Sequence, residues 1–309
     1  MKIARSIATL GLAVLAACQG KHAAAAADDH AGHDKDGTPA SATAMSGREM
    51  GARQDASLPA GATDVKARLA ASPRHGEWAK IAWESGSADS LMAWVVYPEN
   101  KTKAAVVVVI HEIFGLSTWV RGVADQLAAD GFIAVAPDLL SRQRGGPTAD
   151  ELASDSAVKL IRAVTVDEMN RGVAASARYG MALPAAAKRY GVVGYCWGGS
   201  ASFNHAVFNA PGLGAAVVYY GTTPKADALA SVRVPVLGLY GENDQRVNAT
   251  IPLADSAMKA LGRTYEKEIF AGAGHGFLRA QDGANGANLA ATKGAWPRTI
   301  GWFRKYLGA

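Results

Sequence analysis

Residues 191–203 read GVVGYCWGGSASF, an apolar run that ends in a cysteine with glycines close by. Gly194-Tyr195-Cys196-Trp197-Gly198 has the spacing of a nucleophile set on a sharp strand-to-helix turn, with a thiol where a hydroxyl is more usual. Glycine suits positions 194 and 198 because a larger substituent would clash where strand and helix approach. At a helix N-terminus the dipole and the unpaired N–H groups favour a thiolate over a thiol. The competing reading is a small buried hydrophobe beside a glycine turn.

A thiol nucleophile needs a base. From residue 75 onward the histidines are His75, His111, His205 and His275. His75 precedes the domain. His205 lies about two turns into the helix after the turn, facing away from a site at its start. His111 follows the VVVVI strand and is plausible in position. His275 sits in AGAGHGF, where glycines let the backbone aim the imidazole at the sheet edge. Asp244 lies in YGENDQRV at the end of the preceding strand, with Glu242 and Asn243 as competitors for the same role. The order Cys196, Asp244, His275, at spacings of 48 and 31 residues, is the nucleophile–acid–histidine order of α/β-hydrolases. Asp244 would orient the imidazole and His275 would carry the proton.

The elements that must hold these residues alternate. WAKIAWES and SLMAWVVYPE read as a hairpin, and AAVVVVI as a strand buried on both faces. TWVRGVADQLAADG has helical spacing closed by Gly131. FIAVAPDLL, RYGVVGYC, LGAAVVYYG, VPVLGLYGEND and TYEKEIF read as further strands. Residues 149–182 carry two helices, GGSASFNHAVFNA and IPLADSAMKALG one each, and residues 286–308 a closing helix with a break at Pro297. This alternation predicts an α/β domain over residues 76–309, with a mainly parallel sheet and helices on both faces. Its ligand site belongs off the carboxyl ends of the strands.

The start of the chain reads as a targeting segment. Lys2 and Arg5 precede IATLGLAVLAA, an apolar run too short to cross a bilayer but suited to a signal-peptide core. LAAC at 15–18 resembles a lipobox, which makes residues 1–18 a lipoprotein signal and Cys18 the lipidated N-terminus. The alternative is an ordinary signal cut in HAAAAA. Gln19 is not the Asp that marks inner-membrane retention in Gram-negative lipoproteins, so the periplasmic side of the outer membrane is expected, or otherwise the periplasm. Residues 19–75, rich in Ala, Gly, Ser and Asp, read as a disordered linker. His30, His33 and Asp34 in it could hold a metal only loosely, with no frame to fix their geometry. The chain has 2 cysteines, so with Cys18 lipidated or removed, Cys196 is a lone free thiol.

The chain resembles the dienelactone hydrolase family. The resemblance rests on HEIFGL, ADQLAADGFIAVAPDLLSRQ, GVVGYCWGG, GENDQRV and GAGHGFLR, in the family's order and running from about Ala79 to the C-terminus. It implies a triad of Cys196, His275 and Asp244. It implies that Glu112 contacts the resting thiol and helps to activate it when substrate arrives. A lone carboxylate after an all-apolar strand also calls for a partner. The family's oxyanion hole maps to the backbone N–H groups of Ile113 and Trp197. One of its two substrate-binding arginines maps to Arg279. The other has no counterpart, since Arg142, Arg144 and Arg162 lie nearby but none aligns.

With 49% hydrophobic and 19% charged residues the chain can bury a sizeable core. Its net charge of +5 is scattered, which argues against nucleic-acid binding. No metal-ligand spacing and no dinucleotide fingerprint occurs, so no cofactor is expected. The expectation is a monomer that meets the membrane only through its lipid anchor. It would hydrolyse a small ester or lactone of the dienelactone (carboxymethylenebutenolide) type through an acyl-enzyme. A broader esterase or thioesterase, or a non-catalytic envelope binding protein on the same fold, are the alternatives.

Overall fold

The computed structural model describes residues 55–99, 102–148 and 154–308. The proposed signal 1–18 with Cys18, and linker residues 19–54 with His30, His33 and Asp34, lie outside the described residues. The elements run α1 (Val65–Ala70), β1 (Gly76–Ala82), β2 (Ser90–Val96), β3 (Ala104–Ile110), α2 (Thr118–Ala129), β4 (Ile133–Asp138), α3 (Ser154–Ala163), α4 (Val166–Ala182) and β5 (Ala186–Tyr195). They continue with α5 (Trp197–Phe208), β6 (Leu213–Tyr219), β7 (Val236–Gly241), α6 (Ile251–Ala260), β8 (Tyr265–Phe270) and α7 (Ala287–Leu307).

The strands form one sheet of 8 in the order β1-β2-β4-β3-β5-β6-β7-β8. β1 and β2 pair antiparallel, as does β2 with β4, and every other pair is parallel. This is the mixed, mostly parallel sheet of the α/β-hydrolase fold. All seven residues of β3 are buried, as are all seven of β6, because helices cover both faces. One face packs against α2 and α7 through Trp119, Val123, Trp296 and Phe303. The other packs against α4, α5 and α6 through Met169, Val173, Phe203 and Met258. Each fully buried Val of β3 contributes about 1.5–3 kcal/mol.

From β3 the chain crosses to β4 on one side, then returns to β5 on the other. That reversal opens a crevice at the carboxyl ends of β3 and β5. The β3–β5 register pairs Ile110 with Gly194, and the β5–β6 register pairs Tyr195 with Tyr219. Glu112, Cys196 and Tyr220 therefore emerge side by side.

Two expectations need correction. Composition places residues 55–75 in the linker, but they pack on the domain. Leu58, Ala60 and Val65 join the core, and Val65 sits so tightly on Gly122 that a Cβ there would lie 2.2 Å from its Cγ2. Arg74 donates to both oxygens of buried Asp125, at 3.1 and 2.6 Å. A few well-placed apolar residues suffice when the domain supplies the groove. The second correction concerns Pro297, which does not break the closing helix; α7 runs through it. Pro297 and Lys293, whose carbonyl loses its helical donor, are both exposed, so water can serve that carbonyl. Trp296, Ile300 and Phe303 anchor the helix on its buried side.

Candidate active site

Cys196 is the N-cap of α5, with φ 57° and ψ −115°. A non-glycine residue at positive φ is strained, and such strain is held only where the surroundings impose it. Here they do. A Cβ on Gly194 would lie 1.8 Å from the Gly198 carbonyl oxygen, and one on Gly198 2.4 Å from the carbonyl oxygens of Ile110 and His111. The Cys196 N–H donates to the Tyr219 carbonyl at 3.1 Å, which fixes the turn to β6. Cys196 is a free thiol and is not fully buried.

His275 Nδ1 lies 2.5 Å from Asp244 Oδ2, and the imidazole is close enough to feel the charge of Cys196. Asp244 is buried, with 6% exposure, and ends the turn after β7. Burial disfavours the charged imidazole. The hydrogen bond to Asp244, the interaction with Cys196 and the charges on both outweigh that and push its pKa up to about 10. The competitors of Asp244 have other work. Glu242 accepts the Gly272 N–H at 2.8 Å, and Asn243 donates to the Gly272 carbonyl at 3.0 Å. With the Asn243 N–H bound to the Ala273 carbonyl and the Gly274 N–H bound to Asn288, these contacts hold the His275 loop over Asp244. Asn288 and Glu242 were not legible in this role because they act on backbone from a distant helix and an exposed turn.

The other histidines are settled by their partners. Leu139 N–H donates to His111 Nε2 at 3.2 Å, so Nδ1 carries the proton and donates to the Glu112 carbonyl at 2.7 Å. Complete burial keeps His111 neutral, and its ring stacks on Trp197. His205 is buried between the Tyr190 hydroxyl and Asn170, and burial lowers its pKa to about 3. His75 is exposed and stacks on Tyr97.

Glu112 is 4% exposed, and its partner is Arg279, whose Nε lies 3.3 Å from Oε2. No hydrogen bond joins it to Cys196, in contrast to the contact with the resting thiol expected from the resemblance. Burial raises the carboxyl, while Arg279 and His275 oppose this, leaving it at about 7. The Arg279 guanidinium lies over the Phe114 ring at 5.0 Å. Neither the Ile113 nor the Trp197 N–H donates to another protein group. Gly198 presses against the end of β3, which brings the chain at Ile113 close to the turn that carries Cys196 and Trp197.

Arg142 is taken up by Asp89 and lies 4.0 Å from the centre of the Trp83 ring. Arg144 donates to the Pro147 carbonyl at 2.7 Å, and Arg162 is exposed on α3. None contacts the residues around Cys196. Among the described residues no group of three His, Cys, Asp or Glu side chains is placed to hold a metal ion. The arrangement can hold a thiol, a charged imidazole and a buried acid in sequence, beside two free amide donors.

The dienelactone hydrolase family model matches residues 91–307, the whole span that carries this geometry. The chain belongs to the dienelactone hydrolase family. It is 32% identical to a Methylorubrum extorquens protein named "Putative carboxymethylenebutenolidase", over 69% of this chain and 76% of that one. A Salmonella typhimurium protein of the same name is 31% identical, over 71% of this chain and 84% of that one. Among solved structures, a Klebsiella pneumoniae protein titled "Putative Dienelactone Hydrolase" superposes with a TM-score of 0.62 at 27% identity, covering 75% of this chain and 100% of its own. As a dienelactone hydrolase-family chain it is a hydrolase of the α/β-hydrolase fold.

Proposed function

We propose that the protein hydrolyses a small carboxylic ester or lactone, of the carboxymethylenebutenolide type, by covalent catalysis at Cys196. The observation that carries this is the chain Cys196–His275–Asp244 on a strained turn at the sheet's topological switch point. The Cys196 sulfur, as thiolate beside the His275 imidazolium, attacks the carbonyl carbon. The carbonyl oxygen takes up the negative charge and receives the Ile113 and Trp197 N–H groups. Collapse breaks the ester C–O bond, and His275 gives its proton to the leaving oxygen. Water, deprotonated by His275, then cleaves the thioester and restores the thiolate–imidazolium pair. Asp244 keeps the ring oriented throughout. Arg279 is the group that would grip a carboxylate on the substrate, at the expense of its contact with Glu112.

A broader esterase or thioesterase is favoured by one observation. Arg142, Arg144 and Arg162 are all directed elsewhere, so a second carboxylate clamp has no donor among them. Export as a lipoprotein anchored at Cys18, with the domain carried on a tether, is also proposed; LAAC supports it.

Alkylation with iodoacetamide, followed alongside hydrolysis of p-nitrophenyl acetate, tests the reading. Cys196 should alkylate faster than an unfolded thiol, and alkylation should stop turnover in step. A fully alkylated enzyme that still turns over would overturn it.

A further inference from the structure

Five tyrosines of the described residues are almost completely buried: Tyr190, Tyr195, Tyr219, Tyr220 and Tyr240. Three have hydroxyl partners. Tyr190 meets His205 at 2.8 Å, Tyr219 meets Thr299 at 2.7 Å and Tyr240 meets Tyr265 at 2.7 Å. The hydroxyls of Tyr195 and Tyr220 have none, and neither does Oε2 of Glu112 as a hydrogen-bond acceptor. Two buried donors and one buried acceptor left unsatisfied in one crevice are costly, and such groups call for an explanation.

Their placement supplies one. Tyr195 ends β5, the neighbour of β3, from which Glu112 emerges, and Tyr220 follows β6, the next strand beyond β5. The two phenol rings lie 6.4 Å apart, and Tyr220 also stands edge-on to His275 at 5.2 Å. Tyr220 is at φ 39°, a second non-glycine residue at positive φ beside the site, and its N–H is pinned to the Leu239 carbonyl at 2.9 Å. Burial first raises both phenols; the Glu112 charge comes next for Tyr220, and for Tyr195 it follows Tyr219. They stay protonated and remain donors. Arg279 contacts Glu112, and His275, Tyr195 and Tyr220 interact with it electrostatically.

We propose that the Tyr195 and Tyr220 hydroxyls are positioning donors that hold the Glu112 carboxylate once Arg279 turns to a substrate carboxylate. This rests on the clamp role proposed for Arg279. With its guanidinium engaged by ligand, Glu112 would be a buried charge without a cation. Two phenol donors can satisfy its oxygens, which have room for several hydrogen bonds. They keep it anionic and fixed beside the reacting thiol. In the structure Arg279 still holds Oε2, so the phenols are unpaired.

The test is the titration of Glu112 in glutamate-13C-labelled protein, with its signal assigned through Glu112→Gln. Arg279→Ala imposes the released state without any ligand. On that background, Tyr220→Phe or Tyr195→Phe should each raise the Glu112 midpoint by about one unit, a tenfold change in proton affinity. The phenylalanine rings keep the packing, and thermal unfolding verifies this. An unchanged midpoint in both variants, with a higher melting temperature from losing an idle buried hydroxyl, would overturn the proposal. Failure of the clamp itself would show separately, as an unchanged KM for carboxylate-bearing esters in Arg279→Ala.

Discussion

Arg279 Nε lies 3.3 Å from Glu112 Oε2, so the cation expected to grip a substrate carboxylate is engaged by the protein's own. A ligand carboxylate must compete with a buried one. Arg279→Ala should raise KM for esters with a free carboxylate about 10–100-fold, the worth of a charge-assisted contact. Neutral esters should keep their KM. Steady-state kinetics on a matched ester pair checks this, and equal losses on both would remove the clamp role.

Asp244→Asn should lower kcat by about 10³-fold or more while leaving the fold intact, because the imidazole loses its orientation and its charge partner. The same substitution has a pH signature. His275 titrates at about 10 in the folded protein against a usual 6.5. Its stabilisation is therefore complete below the usual value and is lost as pH rises through the folded one. Urea midpoints measured across that window should fall in the wild type and stay flatter in Asp244→Asn.

Glu112 has the same sign over a lower pH window. Its carboxyl is raised from 4.5 to about 7, so the folded state binds the proton more tightly than the unfolded state. Stability falls between those values and stays lower above them. Glu112→Gln should be more stable than the wild type at about pH 8, by up to ~3 kcal/mol, with the gap closing towards about pH 4. Denaturation curves at the two pH values give the comparison.

Val65→Ala should cost about 1–3 kcal/mol, since Val65 is 2% exposed and seated on Gly122. No loss in denaturation midpoint would mean that residues 55–75 ride loosely on the domain.

The sequence carried the fold and the line Cys196–Asp244–His275 because both are written in local patterns. Alternating buried strands and helices fix the sheet, and glycines at 194 and 198 can be read as a turn without any tertiary knowledge. Three features needed the structure. His111 looked usable as a base until its two ring nitrogens were seen bound to Leu139 and Glu112 backbone. The docking of residues 55–75 depends on a groove formed by α2, which composition does not report. Tyr195 and Tyr220 read as ordinary strand residues, and only their buried, unpaired hydroxyls set them apart.

The central claim is that the acyl group passes through the Cys196 sulfur. It is tested most directly by acid-quenching the enzyme during turnover of p-nitrophenyl acetate and mapping the acetyl group by mass spectrometry. The account predicts an acetyl thioester on Cys196, with turnover abolished in Cys196→Ala. Turnover that persists undiminished in Cys196→Ala, with no acetyl on Cys196 in the wild type, would contradict it.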